Sequence, residues 1–336
     1  MAETTVDKRP SAAADSLLVT AQRWLGRSPW LSYIVGRLLQ GLVVVIGAIV
    51  ISFLLIHATG NPATVLSGGA LSPEQVRKLS EQLGYERPLL VQFAEYMGNV
   101  ARGNLGNSFR FNEPAAGIVL KAFPSTLLLI GLAILVATLV AIGAAVLSVL
   151  HRESLLDRTL RRALIVGQGI PEFWLGLALA LVFAVWLRLL PSMGMSDWRS
   201  LVLPVFTLAL PLSSMLTRLL RAELLDTLNL DYVLALRAKG LTDWEILRHH
   251  ALLNALIPFI TYLALQIGWL VGGTIVVEAV FVWPGIGTVA LTAVKSRDLT
   301  ILQALVILVA VAYVLFNLLA DLVVMLLDPR LRVGRS

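Results

Sequence analysis

Six long apolar runs constrain this chain more than any motif does. They cover Tyr33–His57, Pro124–Leu150, Ala163–Leu190, Leu201–Leu220, Pro258–Val280 and Ile301–Leu327. Each reaches the roughly 20 helical residues needed to cross a hydrocarbon layer about 30 Å thick. Inside such a layer the backbone must satisfy its own hydrogen bonds, which a helix does. Charged residues make up 14% of the sequence, against roughly 25% in soluble domains. The expected fold class is therefore all-α: a polytopic membrane protein with six transmembrane helices, a partly helical extracytoplasmic segment and a cytoplasmic helical loop. The first run exceeds the roughly 7–15 apolar residues of a signal peptide and lacks a small-residue cleavage site, so it reads as a retained span.

The spans divide the chain. Residues 1–30 form a polar N-terminal tail, with an amphipathic piece near Ser16–Leu25. Residues 31–330 form the transmembrane domain, and residues 331–336 a C-terminal tail. Within the domain, residues 59–122 form an extracytoplasmic segment. There Ser72 and Gln75 make a capping box, Gly84 ends the helix that follows, and Leu89–Val100 has helical periodicity. Gly103, Gly106 and Pro114 then break the segment up. His151–Arg162 reads as a short basic loop. Pro171 and Glu172 predict a kink or late start in the third span, and Pro204 and Pro211 interrupt the fourth. Most of the 27 Lys and Arg residues fall in the N-terminal tail, the His151–Arg162 loop, the loop after the fourth span and the C-terminal tail. Basic residues concentrate on the cytoplasmic side. That bias places both termini and residues 223–257 in the cytoplasm and the Trp283–Gly287 stretch, WPGIG, outside.

The most polar long interruption of the apolar second half is Tyr232–Pro258, YVLALRAKGLTDWEILRHHALLNALIP. It reads as two short helices, Leu224–Lys239 and Thr242–Leu253, broken at Gly240. Glycine enters the left-handed conformation at little cost and so ends helices. Arg237 and Lys239 precede it, where cations suit the helix dipole. Thr242 with Glu245 three residues on forms a second capping box. From this pattern alone, a docking element and a plain connector both fit.

Several chemistries lack their residues. None of the lysines (Lys8, Lys78, Lys121, Lys239, Lys295) follows a glycine, so the chain carries no phosphate-binding P-loop. HExxH and GxSxG are absent, and there is no cysteine. His249 and His250 are adjacent and point about 100° apart on a helix, which rules out an i, i+4 metal pair. The net charge of +6 fits basic loops better than nucleic acid, because no basic stripe with interleaved aromatics accompanies it. Intramembrane carboxylates are restricted to Glu172, Glu278 and Asp321, each expected to hydrogen-bond a neighbouring helix. Asn317 and Asp321 sit one turn apart, which suits a local polar contact. Two rivals follow from these residues: an ion-coupled transporter working alone, and a membrane-embedded enzyme without a recognisable nucleophile–base pair.

Taken together, the segments resemble the permease subunits of binding-protein-dependent ABC importers, in the dipeptide/oligopeptide/nickel branch, over roughly Arg37–Arg330. The stretch from Tyr232 resembles that family's coupling loop, often called the EAA loop. Tyr232, Val233, Ala235, Arg237, Ala238, Lys239, Gly240 and Leu241 match it, followed by His250, Ala251, Leu252 and Asn254–Pro258. Leu234, Leu236 and Leu253 depart from it. Gly84, Arg87, Pro88 and Gln92 resemble GLDRPLPVQY. Gly103, Leu105, Gly106 and Ser108 resemble GDLGxS, with Asn104 for the usual Asp. Pro171, Phe173, Trp174, Leu175 and Gly176 resemble PxFWLG, with Glu172 where a small polar residue is usual. Glu278, Phe281, Trp283, Pro284, Gly285, Gly287, Arg297-Asp298, Asn317-Leu318, Asp321 and Asp328–Arg330 complete the pattern.

The resemblance implies an importer subunit of the cell membrane that is not itself an enzyme and binds no cofactor. ATP and magnesium would sit on two cytoplasmic ATPase subunits. A second permease subunit would complete the path, and an extracytoplasmic binding protein would deliver the solute. Peptides are the default solute, with nickel, glutathione or another small solute as alternatives. Membrane lipid is the remaining partner, and nucleic acid is none. The implied ATPase-coupling residues are Ala235, Arg237, Ala238, Lys239, Gly240, Leu241, Thr242, Asp243, Trp244 and Glu245. Trp244, Ile246 and Leu247 are its candidate apolar contacts, some of which must pack back on the spans. Glu278, Trp283, Pro284 and Gly285 are candidates for a gate or for contact with the binding protein. No catalytic or metal-binding residue is implied.

Overall fold

The computed structural model describes residues 29–58, 72–82, 84–108 and 110–327. The tail to residue 28, with the expected amphipathic piece, and the Asp328–Arg330 stop lie outside them. Among the described residues every regular element is a helix. The helices are α1 (Pro29–Ala58), α2 (Pro73–Gln82), α3 (Leu89–Ala101), α4 (Ala115–Leu150), α5 (Leu155–Gly169) and α6 (Glu172–Leu179). They continue with α7 (Val202–Leu228), α8 (Asp231–Ala238), α9 (Asp243–Ile246), α10 (Leu252–Phe281), α11 (Ile286–Ser296) and α12 (Leu299–Leu327). Four helical stretches are long and apolar enough to cross a membrane unaided, and two bent pairs raise the number to six if each pair is one span.

The centre of the bundle is the α4–α7 contact. Ala133, Ala137, Ala141 and Ala145 recur every four residues on α4, and all are fully buried. They meet an α7 that buries Leu208, Leu212, Leu216, Leu220 and Leu224 at the same spacing. Between helices in lipid, small side chains allow close approach and hence dispersion contact, where hydrophobic driving force is weak. The same device joins α1 to α12: a Cβ on Gly41 would stand 2.4 Å from Val314. Outward side chains such as Leu39, Leu42 and Val43 are apolar and exposed, as a lipid-facing surface requires.

Three expectations need correction, and a fourth holds: the third run breaks at Pro171 as expected, into two helices, α5 and α6, bent by 108°. Ile170 between them is extended (φ −86°, ψ 123°), because the ring of Pro171 disfavours a helical residue before it. Prolines do not interrupt the fourth run. Pro204 lies in the first turn of α7, where no intrahelical N–H partner is required, and α7 continues past Pro211 to Leu228. The expected basic loop is mostly helix: Ser154 caps α5 by accepting the Asp157 N–H. Asn317 does not pair with Asp321. It donates to the Tyr313 carbonyl at 2.8 Å, while Asp321 joins α12 to α1 through Arg37 at 2.7 Å.

The segment between α1 and α4 is held by motif residues. Ser72 and Gln75 cap α2 reciprocally, at 2.9 and 3.4 Å. Gly84, Gly103 and Gly106 all take positive φ. Gln92 accepts from His57 through its Oε1 at 2.9 Å and donates to the Arg87 carbonyl at 2.7 Å. Ser108 donates to Asp298 at 2.5 Å, anchoring the segment before α12.

One buried cluster had not been expected. Asp157 is fully buried and receives the Ser148 hydroxyl, the Glu153 N–H at 3.2 Å, and the Arg221 and Arg161 guanidinium groups at 3.2 Å each. Arg221 also donates to Ser148 at 2.7 Å. Arg221 is thus a brace between α4, α5 and α7, not a free loop charge. Removing one partner of a buried pair strands the other. Asp157→Ala is expected to destabilise the detergent-solubilised chain by about 3 kcal/mol, seen as a lower thermal midpoint, with Asp157→Asn between. A midpoint equal to wild type would show that the cluster braces nothing.

Candidate coupling site and the opposite-end loop

The loop differs from the expected pair of free helices in how it is joined. The first expected helix, Leu224–Lys239, is divided, because α7 stops at Leu228 and Leu230 is extended (φ −75°, ψ 148°) before α8. α8 then ends in a Schellman motif. Gly240 has φ +87°, and its N–H reaches the Arg237 carbonyl at 2.9 Å while that of Leu241 reaches Leu236 at 3.3 Å. Nothing lies within 4 Å of where a Gly240 Cβ would be. Backbone conformation, not space, is what demands glycine there.

Thr242 starts the next helix. Its hydroxyl accepts the Glu245 N–H at 3.3 Å, and Glu245 accepts the Thr242 N–H at 2.9 Å. The Thr242 N–H and hydroxyl hold the Glu245 carboxyl below its ordinary pKa. Across the turn, Arg237 pairs with Asp243 at 3.0 Å. The helix expected to end at Leu253 does not end there. α9 runs through a π-helical turn, Leu247–Ala251, directly into α10.

Burial sorts the ten candidate coupling residues. Ala235, Arg237, Ala238, Lys239, Gly240, Thr242, Asp243, Trp244 and Glu245 are exposed, and Leu241 is half-buried. Below them Val233, Ile246, Leu247 and Ala251 are buried. Of the three apolar candidates, Ile246 and Leu247 therefore pack inward, and Trp244 stays outside with half of its surface exposed (49%). Tyr232 and Asn254 tie α8 to α10 at 3.3 Å. Leu234 and Leu253, where this loop departs from the resemblance, point outward. The result is a polar, capped knob fixed to a span by an apolar base.

At the far end of α10 the four remaining candidates separate. Glu278 is fully buried. Its Oε1 accepts the Thr126 hydroxyl at 2.6 Å and its Oε2 the Gly287 N–H at 2.6 Å. Trp283 is also fully buried and donates its indole N–H to the Ser125 carbonyl of α4 at 3.0 Å. A Cβ on Gly285 would stand about 2.3 Å from the Glu278 carboxylate, so glycine there makes room for it. Pro284 alone of the four is exposed. Glu278, Trp283 and Gly285, candidates for a gate or for binding-protein contact, are buried and fasten the loop to α4. Glu278 meets a neighbouring helix as expected. Glu172 does not, since no hydrogen bond reaches its buried Oε1.

The sequence held signals for some missed residues. Ser154 and Asp157 have capping-box spacing, and Ser125-Thr126 follow Pro124 at the mouth of a span. Neither signal specifies a partner more than 60 residues away, such as Arg221 for Asp157. Among the described residues no three His, Asp or Glu side chains converge on a metal-sized site.

The comparisons with known proteins cover residues 30–130 and 133–333. Residues 133–333 match the family described as binding-protein-dependent transport system inner membrane component. Residues 30–130 match the N-terminal portion described for the same kind of transport system membrane component. The glutathione transport system permease protein GsiC of Escherichia coli K12 is 33% identical over 303 residues, covering 90% of this chain and 99% of that protein. The probable D,D-dipeptide transport system permease protein DdpB of the same strain is 36% identical over 327 residues, covering 88% and 96%. Among solved structures, an inward-facing MetNI methionine ABC transporter chain shares the fold, with a TM-score of 0.55 at 19% identity over 63% of this chain and 96% of that one. The chain belongs to the inner membrane components of binding-protein-dependent transport systems, and is a multi-pass ABC importer permease.

Proposed function

We propose that this chain carries short peptides across the membrane and couples that movement to separate ATPase subunits through the knob at Arg237–Glu245. One observation carries the coupling assignment: the exposed, capped knob is continuous with α10, whose far end is bolted to α4. Both similar permeases named above are named for small peptides, which supports a peptide solute.

In this reading the knob lies on the cytoplasmic side with both termini. A groove on each ATPase would receive one such knob, ATP and magnesium being held by the ATPases. Trp244 and the outward leucines supply apolar contact, and Arg237 and Lys239 supply charge. The Arg237–Asp243 pair and the capping box keep α8 and α9 from flexing separately. ATPase closure therefore moves the knob together with the part of α10 that precedes its 52° bend between Gln266 and Gly268. A second, similar permease would complete the path. On the outer face, the α2–α3 segment and Pro284 would meet the binding protein, with Glu278, Trp283 and Gly285 holding that loop in place.

Two experiments test this reading. Gly240→Val is expected to abolish ATP-driven uptake in proteoliposomes holding the assembled importer, while membrane insertion is unchanged, because φ > 0 is costly for a β-branched residue. Gly240→Ala, costing about 1–2 kcal/mol, should lie between. Wild-type uptake by the valine variant would remove the joint from the mechanism. Purified alone, the chain should not hydrolyse ATP, and uptake by the assembled importer should require ATP. Uptake driven by an ion gradient without ATP would instead identify a lone secondary transporter.

A further inference from the structure

The break in the third span borders an open cavity that the coupling mechanism does not use. It measures about 350 Å³ and is lined by Gln168 and Glu172 from the two sides of the break, with Phe173, Pro211, Trp269 and Val276. Glu172 is the first residue of α6. Its Oε2 lies where a Cβ on Gly273 of α10 would stand 3.2 Å away, so the glycine leaves the carboxylate its space. Its Oε1 is buried without a hydrogen-bond partner, and so is the Nε2 of Gln168.

Such groups are costly. Glu172 is half-buried, and its Oε1 is cut off from water with no donor or counter-charge, so that oxygen loses hydration for nothing. The other carboxylates of the bundle each have a donor or counter-charge: Glu278 has Thr126 and Gly287, Asp157 has Arg221 and Ser148, and Asp321 has Arg37 on its Oδ1, although its Oδ2 is also buried without a partner. Glu172 departs from the small polar residue usual in PxFWLG. It also stands beside aromatic surface, for Trp269 and Phe173 are each about half exposed (55% and 50%). A carboxylate beside an aromatic face suits a cation with some apolar body, because ring faces attract cations. Discontinuous helices in transporters commonly border the solute path.

We propose that Glu172, with Gln168 and Trp269, forms a subsite on the translocation path that takes the protonated amino group of the solute. Glu172 supplies the counter-charge, Gln168 a hydrogen bond and Trp269 an aromatic wall. The proposal rests on the permease reading above and adds a charge requirement to it: the solute passes with a free ammonium group facing this chain.

The sequence contains no cysteine, so Val276→Cys places a single thiol of this chain at the cavity wall. In the assembled importer its labelling is followed by mass spectrometry with a cationic aminoethyl and an anionic sulfonatoethyl methanethiosulfonate. Any effect of Glu172 on the thiol itself acts on both reagents equally and cancels in the ratio. One charge a few ångströms away changes a cation-to-anion rate ratio by on the order of tenfold. The ratio should therefore fall about tenfold when Glu172→Gln is added, and persist with Glu172→Asp, which keeps the charge. An unchanged ratio with Glu172→Gln overturns the subsite. A fall seen in the isolated chain but not in the importer also overturns it, because a cation of another subunit then already neutralises Glu172. Labelling needs no ATP, so failure of the permease reading appears separately, as absent ATP-driven uptake by the wild type.

Discussion

The alanine ladder on α4 sets the construction of the rest of the bundle. Helices in lipid gain little by hiding apolar surface from a solvent that is itself apolar. They gain by touching closely, and Ala133, Ala137, Ala141 and Ala145 let α7 approach along its length. With α4 and α7 joined, each becomes a platform for the polar contacts that fix the other elements. Ser148 and Arg221, from these two helices, converge on Asp157 of α5. Ser125 and Thr126, near the other end of α4, receive Trp283 and Glu278. These buried polar contacts resist separation, because pulling them apart strands charge or a donor away from water.

The coupling mechanism draws on that arrangement through α10. A helix transmits displacement only if neither end yields. At one end the capping box and the Arg237–Asp243 pair fix the start of α9 to α8. At the other, Glu278 ties the end of α10 to α4 and to the first turn of α11. The π-helical turn at Leu247–Ala251 lies between knob and span. Its base is buried through Leu247 and Ala251, so the irregular turn is packed rather than loose. Push at Trp244 thus reaches the far loop along α10, around its 52° bend between Gln266 and Gly268.

Local chemistry was legible in the sequence, and long-range partnership was not. Capping boxes at Ser72 and Thr242 and the positive φ at Gly84 and Gly240 follow from residue type and a spacing of three, and the structure has each of them. The apolar runs located the spans for the same reason. The errors arose where one residue had two readings. Pro171 and Pro204 both looked like breaks. Only Pro171 breaks a helix, since Pro204 falls in a first turn that requires no donor. Asn317 and Asp321 had the spacing for a local contact, yet an ion pair to Arg37 across helices prevailed. Trp283 lay in a loop and so read as surface, and what buried it was the approach of α4, which no spacing within the loop encodes.

Pro171 also explains why an unpaired carboxylate occurs where it does. In an unbroken helix, position 172 would sit inside a hydrogen-bonded turn with neighbouring helices packed over it. The 108° bend instead separates α5 from α6 and leaves space between Gln168 and Glu172 that a straight span would fill. Gly273 keeps that space open from the α10 side. Because α10 also carries the knob, the wall beside Glu172 belongs to the element that the ATPases would move. Displacement of α10 would change how closely Gly273 and Trp269 approach Glu172. The grip on a solute cation and the ATP-driven motion would then share α10, with its 52° bend between Gln266 and Gly268 as the relay between them.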